Sequence, residues 1–246
     1  MYGICLMKSR KKTRSKTILG YYSDVFKLMK NPSRFTATKM TGAEAIKYYL
    51  KSSAVPIIAL VIGLPLASLL GGNIYVGSLG PVMAFANWLG SFGNVGAAIG
   101  LAFTILFDFV VFVPLAMLLL AGLIHLPSKL LGLLEGKYSH TLSAVSYWAS
   151  TSMFFLWWLP LTALVSQATY PPLGALLALL FGSVWFLSLF YSYYVFITAL
   201  SKQHNVSTLK AFGSMVVVFF VIGAISLIAI AAIAAYLLGV HALPGR

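Results

Sequence analysis

The sequence predicts an all-α polytopic membrane protein: five transmembrane helices preceded by an amphipathic interfacial helix on the cytoplasmic side. Three observations carry that expectation. The 246-residue chain is 60% hydrophobic and 9% charged, with mean hydropathy +0.94, which leaves too few charges to keep a soluble domain of this size in solution. Twelve of its 17 Lys and Arg residues precede Ser52. Beyond Ser52, several apolar runs exceed the roughly 20 residues that cross about 30 Å of hydrocarbon.

Residues 1–44 read as a basic cytoplasmic segment and residues 45–240 as the transmembrane domain. The run Lys8, Arg10, Lys11, Lys12, Arg14, Lys16 is followed by an amphipathic stretch, not by an apolar core with a small-residue cleavage site, so a cleavable signal is not expected. At 100° per residue, one half of the Ile18–Lys30 wheel holds Ile18, Leu19, Tyr21, Tyr22, Val25, Phe26, Leu28 and Met29. The other half holds Gly20, Ser23, Asp24, Lys27 and Lys30. Such a helix, with a basic polar face, suits the surface of an anionic leaflet. Asn31-Pro32 ends it, because the residue before a proline resists the helical conformation.

The five predicted spans are Ala45–Leu70, Ala97–Ile124, Thr141–Val165, Leu173–Leu200 and Ala211–Leu238. Gly71-Gly72-Asn73, Pro127 and Pro171-Pro172 supply breaks between them. Charge orients the set. With the N-terminus inside, the cytoplasmic segments 1–44, 125–140 and 201–210 hold the Lys and Arg residues. Lys47 and Lys51, at the start of the first span, reach back to the interface. The outer segments 71–96 and 166–172 hold no Lys or Arg, and the outer C-terminus holds only Arg246. An odd number of spans satisfies the positive-inside rule, with the N-terminus cytoplasmic and the C-terminus outside the cell membrane. Tyr48 and Tyr49 fall at the inner interface and Trp157 and Trp158 at the outer one, as an aromatic belt requires.

Asp108 is the sharpest candidate for chemistry. A carboxylate in mid-span is costly, so it should be neutral, paired or in a wet cavity. Gly96, Gly100, Thr104 and Asp108 recur at intervals of four and form a small-residue stripe on which helices approach closely. Asp108 is therefore expected inside the bundle, protonated and bonded to Thr104 or a neighbouring span; a proton or cation site is the alternative. His125, His140 and His204 fall at the cytoplasmic ends of three spans near Glu135, but their spacing fits no zinc motif, and no metal or cofactor is expected. Cys5 has no neighbouring base and is not expected to act as a nucleophile. No phosphate-cradling loop, carboxylate pair or nucleophile elbow occurs, so an enzyme is not expected. The basic excess sits beside a span, where anionic lipid is the expected partner and nucleic acid is not. Asn205-Val206-Ser207 matches a glycosylation acceptor but lies on the cytoplasmic side of the predicted topology.

Several segments taken together resemble the Yip-domain family, the Ypt/Rab-interacting membrane proteins. Val25-Phe26 with Asn31-Pro32-Ser33-Arg34-Phe35 is similar to the element before the first span in prokaryotic members. Gly136-Lys137-Tyr138-Ser139 running into Thr141-Leu142-Ser143-Ala144-Val145-Ser146-Tyr147 resembles the start of the third span, and Trp158-Leu159-Pro160 its end. The strongest likeness is the segment from Ala199 to Ala211, with His204, Ser207 and the Lys210-Ala211 pair between spans four and five. The short basic N-terminal segment, in place of a longer acidic and proline-rich one, is similar to prokaryotic-type members. The resemblance implies a non-enzymatic membrane protein that binds or organises partner proteins or lipids, with a membrane-protein partner or a second copy of itself. An accessory subunit of a larger complex, or a small transporter or channel using Asp108, are the alternatives.

Overall fold

A computed structural model describes residues 17–69, 87–156 and 171–241. Cys5, the basic run 8–16, most of loop 71–96 and the Trp157-Trp158 end of the third predicted span lie outside these residues. The described residues contain helices and turns and no strand.

The described N-terminal residues fold as three short helices with visible local causes. Helix α1 is Ile18–Lys30. Thr17 caps it by accepting from the Gly20 N–H at 3.3 Å, and Lys27 and Lys30 in the last turn complement its dipole. Asn31 ends α1, and its side chain caps the next helix, α2 (Pro32–Phe35), which has proline in its first position. Helix α3 (Gly42–Ser52) opens on a capping box in which the Glu44 N–H donates to Thr41 Oγ1 and the Thr41 N–H donates to the Glu44 carboxylate.

The first predicted span is not one straight helix from Ala45 to Leu70. It begins at Gly42 and bends by 44° at Ser53 into α4 (Ala54–Leu69). Pro56 explains the bend, since it has no N–H to continue the ladder. The Ser52 hydroxyl sits at the bend within 2.7 Å of both Tyr48 O and Ser150 Oγ.

The second predicted span is a continuous helical rod, Asn94–Leu130, of 37 residues. At about 1.5 Å per residue that is roughly 55 Å, longer than a hydrocarbon core. It comprises α5 (Asn94–Phe107), one π-helical turn (Asp108–Phe112) and α6 (Val113–Leu130). Pro127 does not end this span, as the sequence had suggested; it lies inside α6. The stop comes at Gly132 (φ +67°), where the N–H groups of Gly132 and Leu133 bond back to Lys129 O and Ser128 O at 3.1 and 2.9 Å. That pairing is a Schellman motif.

Helix α7 (Tyr138–Phe154) is the centre of the bundle, packed against α8 (Pro171–His204), α3, α6 and α1. It is rich in hydroxyl residues yet almost entirely buried. Ser143, Ser146 and Thr151 satisfy themselves on backbone carbonyls three or four residues back, each at 2.8 Å, which removes the penalty of burying them. Asn205 (φ 55°) stops α8, with the Val206 N–H on Ser201 O at 3.1 Å. The last helix, α9 (Thr208–His241), packs on α6 and α8 and turns most of its side chains outward.

Among the described residues, three helices are long and apolar enough to cross a membrane, Asn94–Leu130, Leu179–His204 and Thr208–Ala234, or four if the bent α3–α4 pair is one span. Only 6% of the apolar window within Thr208–Ala234 is buried, so most of its apolar surface faces outward, which fits contact with lipid. The described part of the third predicted span, α7, does not reach that length.

Candidate functional site

The polar face of α1 does not point away from the protein. Asp24 is buried with only 4% exposure, alongside Val25 and Leu28. Across from it stand α2, α3 and the side of α7 that carries Tyr147. Between them lies a cavity of about 1080 Å³. Lys27 and Lys30 enter it from α1, Arg34 from α2, and Lys47 and Lys51, one turn apart, from α3. Asp24 and Glu44 are its two carboxylates, so the five cations leave a net charge of +3.

Aromatic residues and long-range backbone contacts hold these elements in place. Tyr21, Tyr48 and Tyr147 form a row of edge-to-face rings, 6.2 Å and then 5.2 Å apart. Gln203, fully buried at the end of α8, donates to Thr36 O at 2.5 Å and Thr38 O at 2.8 Å. Tyr147 and Ser143 of α7 donate to Thr38 O and Met40 O, each at 3.3 Å. Tyr191 of α8 donates to the Met29 carbonyl. The α2–α3 connection is thus tied to two helices of the bundle, which gives the cavity a built wall.

Three of the charges are already engaged. Lys27 Nζ lies 3.3 Å from Asp24 Oδ1, and the Glu44 carboxylate accepts the Thr41 N–H at 2.8 Å. Lys51 Nζ stands 4.9 Å above the Tyr21 ring, a cation–π geometry.

Of the residues read as a membrane-surface helix, Val25 is buried, Tyr22 stacks on Phe154 at 5.1 Å, and Ile18 and Phe26 are exposed. Lys27 and Lys30 join the cavity, and Met29 gives its carbonyl to Tyr191. Sequence reading set Lys47 and Lys51 aside as interfacial lysines and did not connect Arg34 with them. Their four-residue spacing, with Glu44 one turn earlier, was the available signal.

The three histidines do converge, through a residue that sequence reading had not linked to them. Thr141 Oγ1 lies 2.9 Å from both His125 Nδ1 and His204 Nε2, and all three residues are buried. His204 Nδ1 meets the Glu135 carbonyl, which can only accept, so Nδ1 carries the hydrogen. In a neutral His204 ring, Nε2 then accepts from the Thr141 hydroxyl, and the Thr141 oxygen accepts from His125 Nδ1–H. His140 stands beside the relay, its ring centroid 5.6 Å from that of His204. Among the described residues, no group of three or more His, Cys, Asp or Glu side chains is placed to hold a metal.

Asp108 opens the π-helical turn and is half-buried. Thr104 is buried and donates to Gly100 O at 2.9 Å, within its own helix. Gly96 and Gly100 are buried on α5, which packs against α4. At Gly96 a Cβ would run into the Leu89 carbonyl, so its small size serves the chain entering α5. The π turn shifts the backbone bonding and presents the Phe109 carbonyl to Tyr49, whose hydroxyl donates to it at 3.1 Å.

No family model matches the chain, and no curated protein or solved structure matches it either.

Proposed function

We propose that the chain is a non-enzymatic integral membrane protein that binds anionic lipid at the face carrying α1, α2 and α3, and that it organises lipids or partner proteins there. One observation carries this reading: five cations from three helices face a single cavity at one end of a bundle whose long helices turn apolar surface outward. The proposed topology has five spans, a cytoplasmic N-terminus and an external C-terminus in the cell membrane. The split of Lys and Arg between alternate segments supports it. The Yip-domain resemblance belongs to the same reading and points to a membrane-protein partner or a second copy of the chain. Exposed residues of α1, Ile18, Leu19 and Phe26, supply apolar contact with the leaflet.

A second reading, a small transporter or channel using Asp108, draws support from the π-helical turn that starts at that residue, since such turns recur at functional sites.

The test is purification in mild detergent followed by quantification of retained lipid. Anionic lipids should be enriched over zwitterionic ones relative to the source membrane. Retention in the bulk ratio would reject the proposal, and flux that vanishes in Asp108→Asn would select the second reading.

A further inference from the structure

We propose that the α1–α2–α3 cavity is a binding site for an anion carrying two or more phosphate groups. Lys30, Arg34, Lys47 and Lys51 would be its phosphate-binding residues. The inference rests on the reading that this face engages anionic ligands, and it adds the ligand class and the residues.

The charge lining the cavity selects that class. The whole chain contains four carboxylate side chains: Asp24, Glu44, Asp108 and Glu135. Asp24 is beside Lys27, and Glu44 is held in the α3 capping box. Asp108 lies on the π turn, and Glu135 is an exposed loop residue after α6. Neither Asp108 nor Glu135 lines the cavity. The net +3 there must therefore be balanced from outside the set of acidic side chains. A phosphodiester brings about −1 and a phosphomonoester about −1.5 to −2, so matching +3 takes at least two phosphates.

Size agrees with charge. The cavity, at about 1080 Å³, is slightly larger than the range of roughly 300–1,000 Å³ typical of sites for small organic ligands. A lone phosphate would leave most of it empty, whereas a ring bearing several phosphates would span from Lys30 on one wall to Lys47 on the other. Arg34 supplies a planar fork suited to bidentate phosphate binding, and the lysines supply point charges around it.

Behind the cations the wall is aromatic: Tyr21, Phe35, Tyr48 and Tyr147 line it, and the Tyr48 hydroxyl is buried out of reach of a bound molecule.

The headgroup of a polyphosphorylated lipid and a soluble polyphosphate share this chemistry, and the experiment separates them. The full chain, in nanodiscs of neutral lipid, is titrated with three probes: inorganic phosphate, inositol hexakisphosphate, and a short-chain phosphatidylinositol bisphosphate. Saturable binding is expected for at least one multiply phosphorylated probe, at least tenfold tighter than for inorganic phosphate. Binding of the lipid alone assigns the headgroup source, and binding of the soluble probe alone assigns the soluble source.

Lys30 and Lys47 are exposed, so Lys30→Gln with Lys47→Gln should leave the fold intact and weaken that binding at least tenfold. A matched loss of charge elsewhere, Lys129→Gln with Lys210→Gln, should not change it. Equal affinities for the two double variants would overturn the proposal. So would the absence of saturable binding in a protein that still retains anionic lipid, and in that case the anionic-lipid reading survives without the site. Failure of both would remove both.

Discussion

Replacing Thr141 by valine isolates what the histidine relay contributes. The two side chains have nearly the same shape, so the substitution removes a hydroxyl and little else. Thr141 is fully buried, and His125 and His204 are 5% and 3% exposed, so water cannot replace the lost bonds. Two contacts of 2.9 Å disappear. Each buried nitrogen left without its partner costs about 1–3 kcal/mol, which brings the expected loss for the two to about 2–6 kcal/mol. Thr141→Ser keeps both bonds and loses one methyl group, about 1 kcal/mol. For a chain of this size, 1 kcal/mol moves the melting temperature by roughly 2–4 °C, so valine should lower it by roughly 4–24 °C and serine by only a few degrees. The assay is thermal unfolding of the three proteins in one detergent, with imidazole nitrogen NMR on the parent to read the ring protonation. The parent should show hydrogen on Nδ1 of both His125 and His204. A valine variant no less stable than the serine variant would refute the relay.

Further outcomes follow from the same geometry. Gly136 has φ +104°, and a Cβ there would stand 2.8 Å from His140 Nδ1. Gly136→Ala should therefore cost about 1–3 kcal/mol. Gly132 has φ +67° with open space around it, so Gly132→Ala should cost less, about 1–2 kcal/mol; both are read by thermal unfolding. Tyr49→Phe removes the hydroxyl that satisfies the Phe109 carbonyl and should cost about 1 kcal/mol, measured in the same way. Burial, with Lys39 and Lys137 nearby, pushes His140 below its usual value of 6.5. The folded state thus binds fewer protons than the unfolded one between the depressed value and 6.5, so this stability is fully present above 6.5 and is lost as pH falls through the lower one. Melting temperatures at pH 7.5, 6 and 5 should decline, and His140→Gln should flatten the decline; an unchanged slope in the variant would assign it elsewhere. Asp108→Asn should be tolerated and Asp108→Lys destabilising, because an ammonium at that depth has no neutral isostere.

The sequence alone carried the helical character of the chain and the presence of helices long and apolar enough to cross a membrane, because composition and the length of apolar runs are local properties. It also carried the bounds of α1, whose 3.6-residue periodicity and Asn31-Pro32 stop lie within fourteen residues of one another. Gly132 and Asn205 ended helices through local backbone geometry, although Pro127 looked like the stronger signal and was absorbed within α6. A missing N–H costs one bond, which the surrounding helix can forgo; a left-handed residue redirects the chain. The site needed tertiary structure. A wheel separates the two halves of α1 but does not say that its polar half faces α3 across a cavity or that Asp24 is buried there. Gln203 holds the Thr36–Thr38 turn from more than 160 positions away, and Thr141 joins histidines 16 residues before and 63 after it. Hydrogen bonds of that kind depend on how helices dock, and docking is decided by shape and by burial summed over the bundle, quantities that no single segment contains.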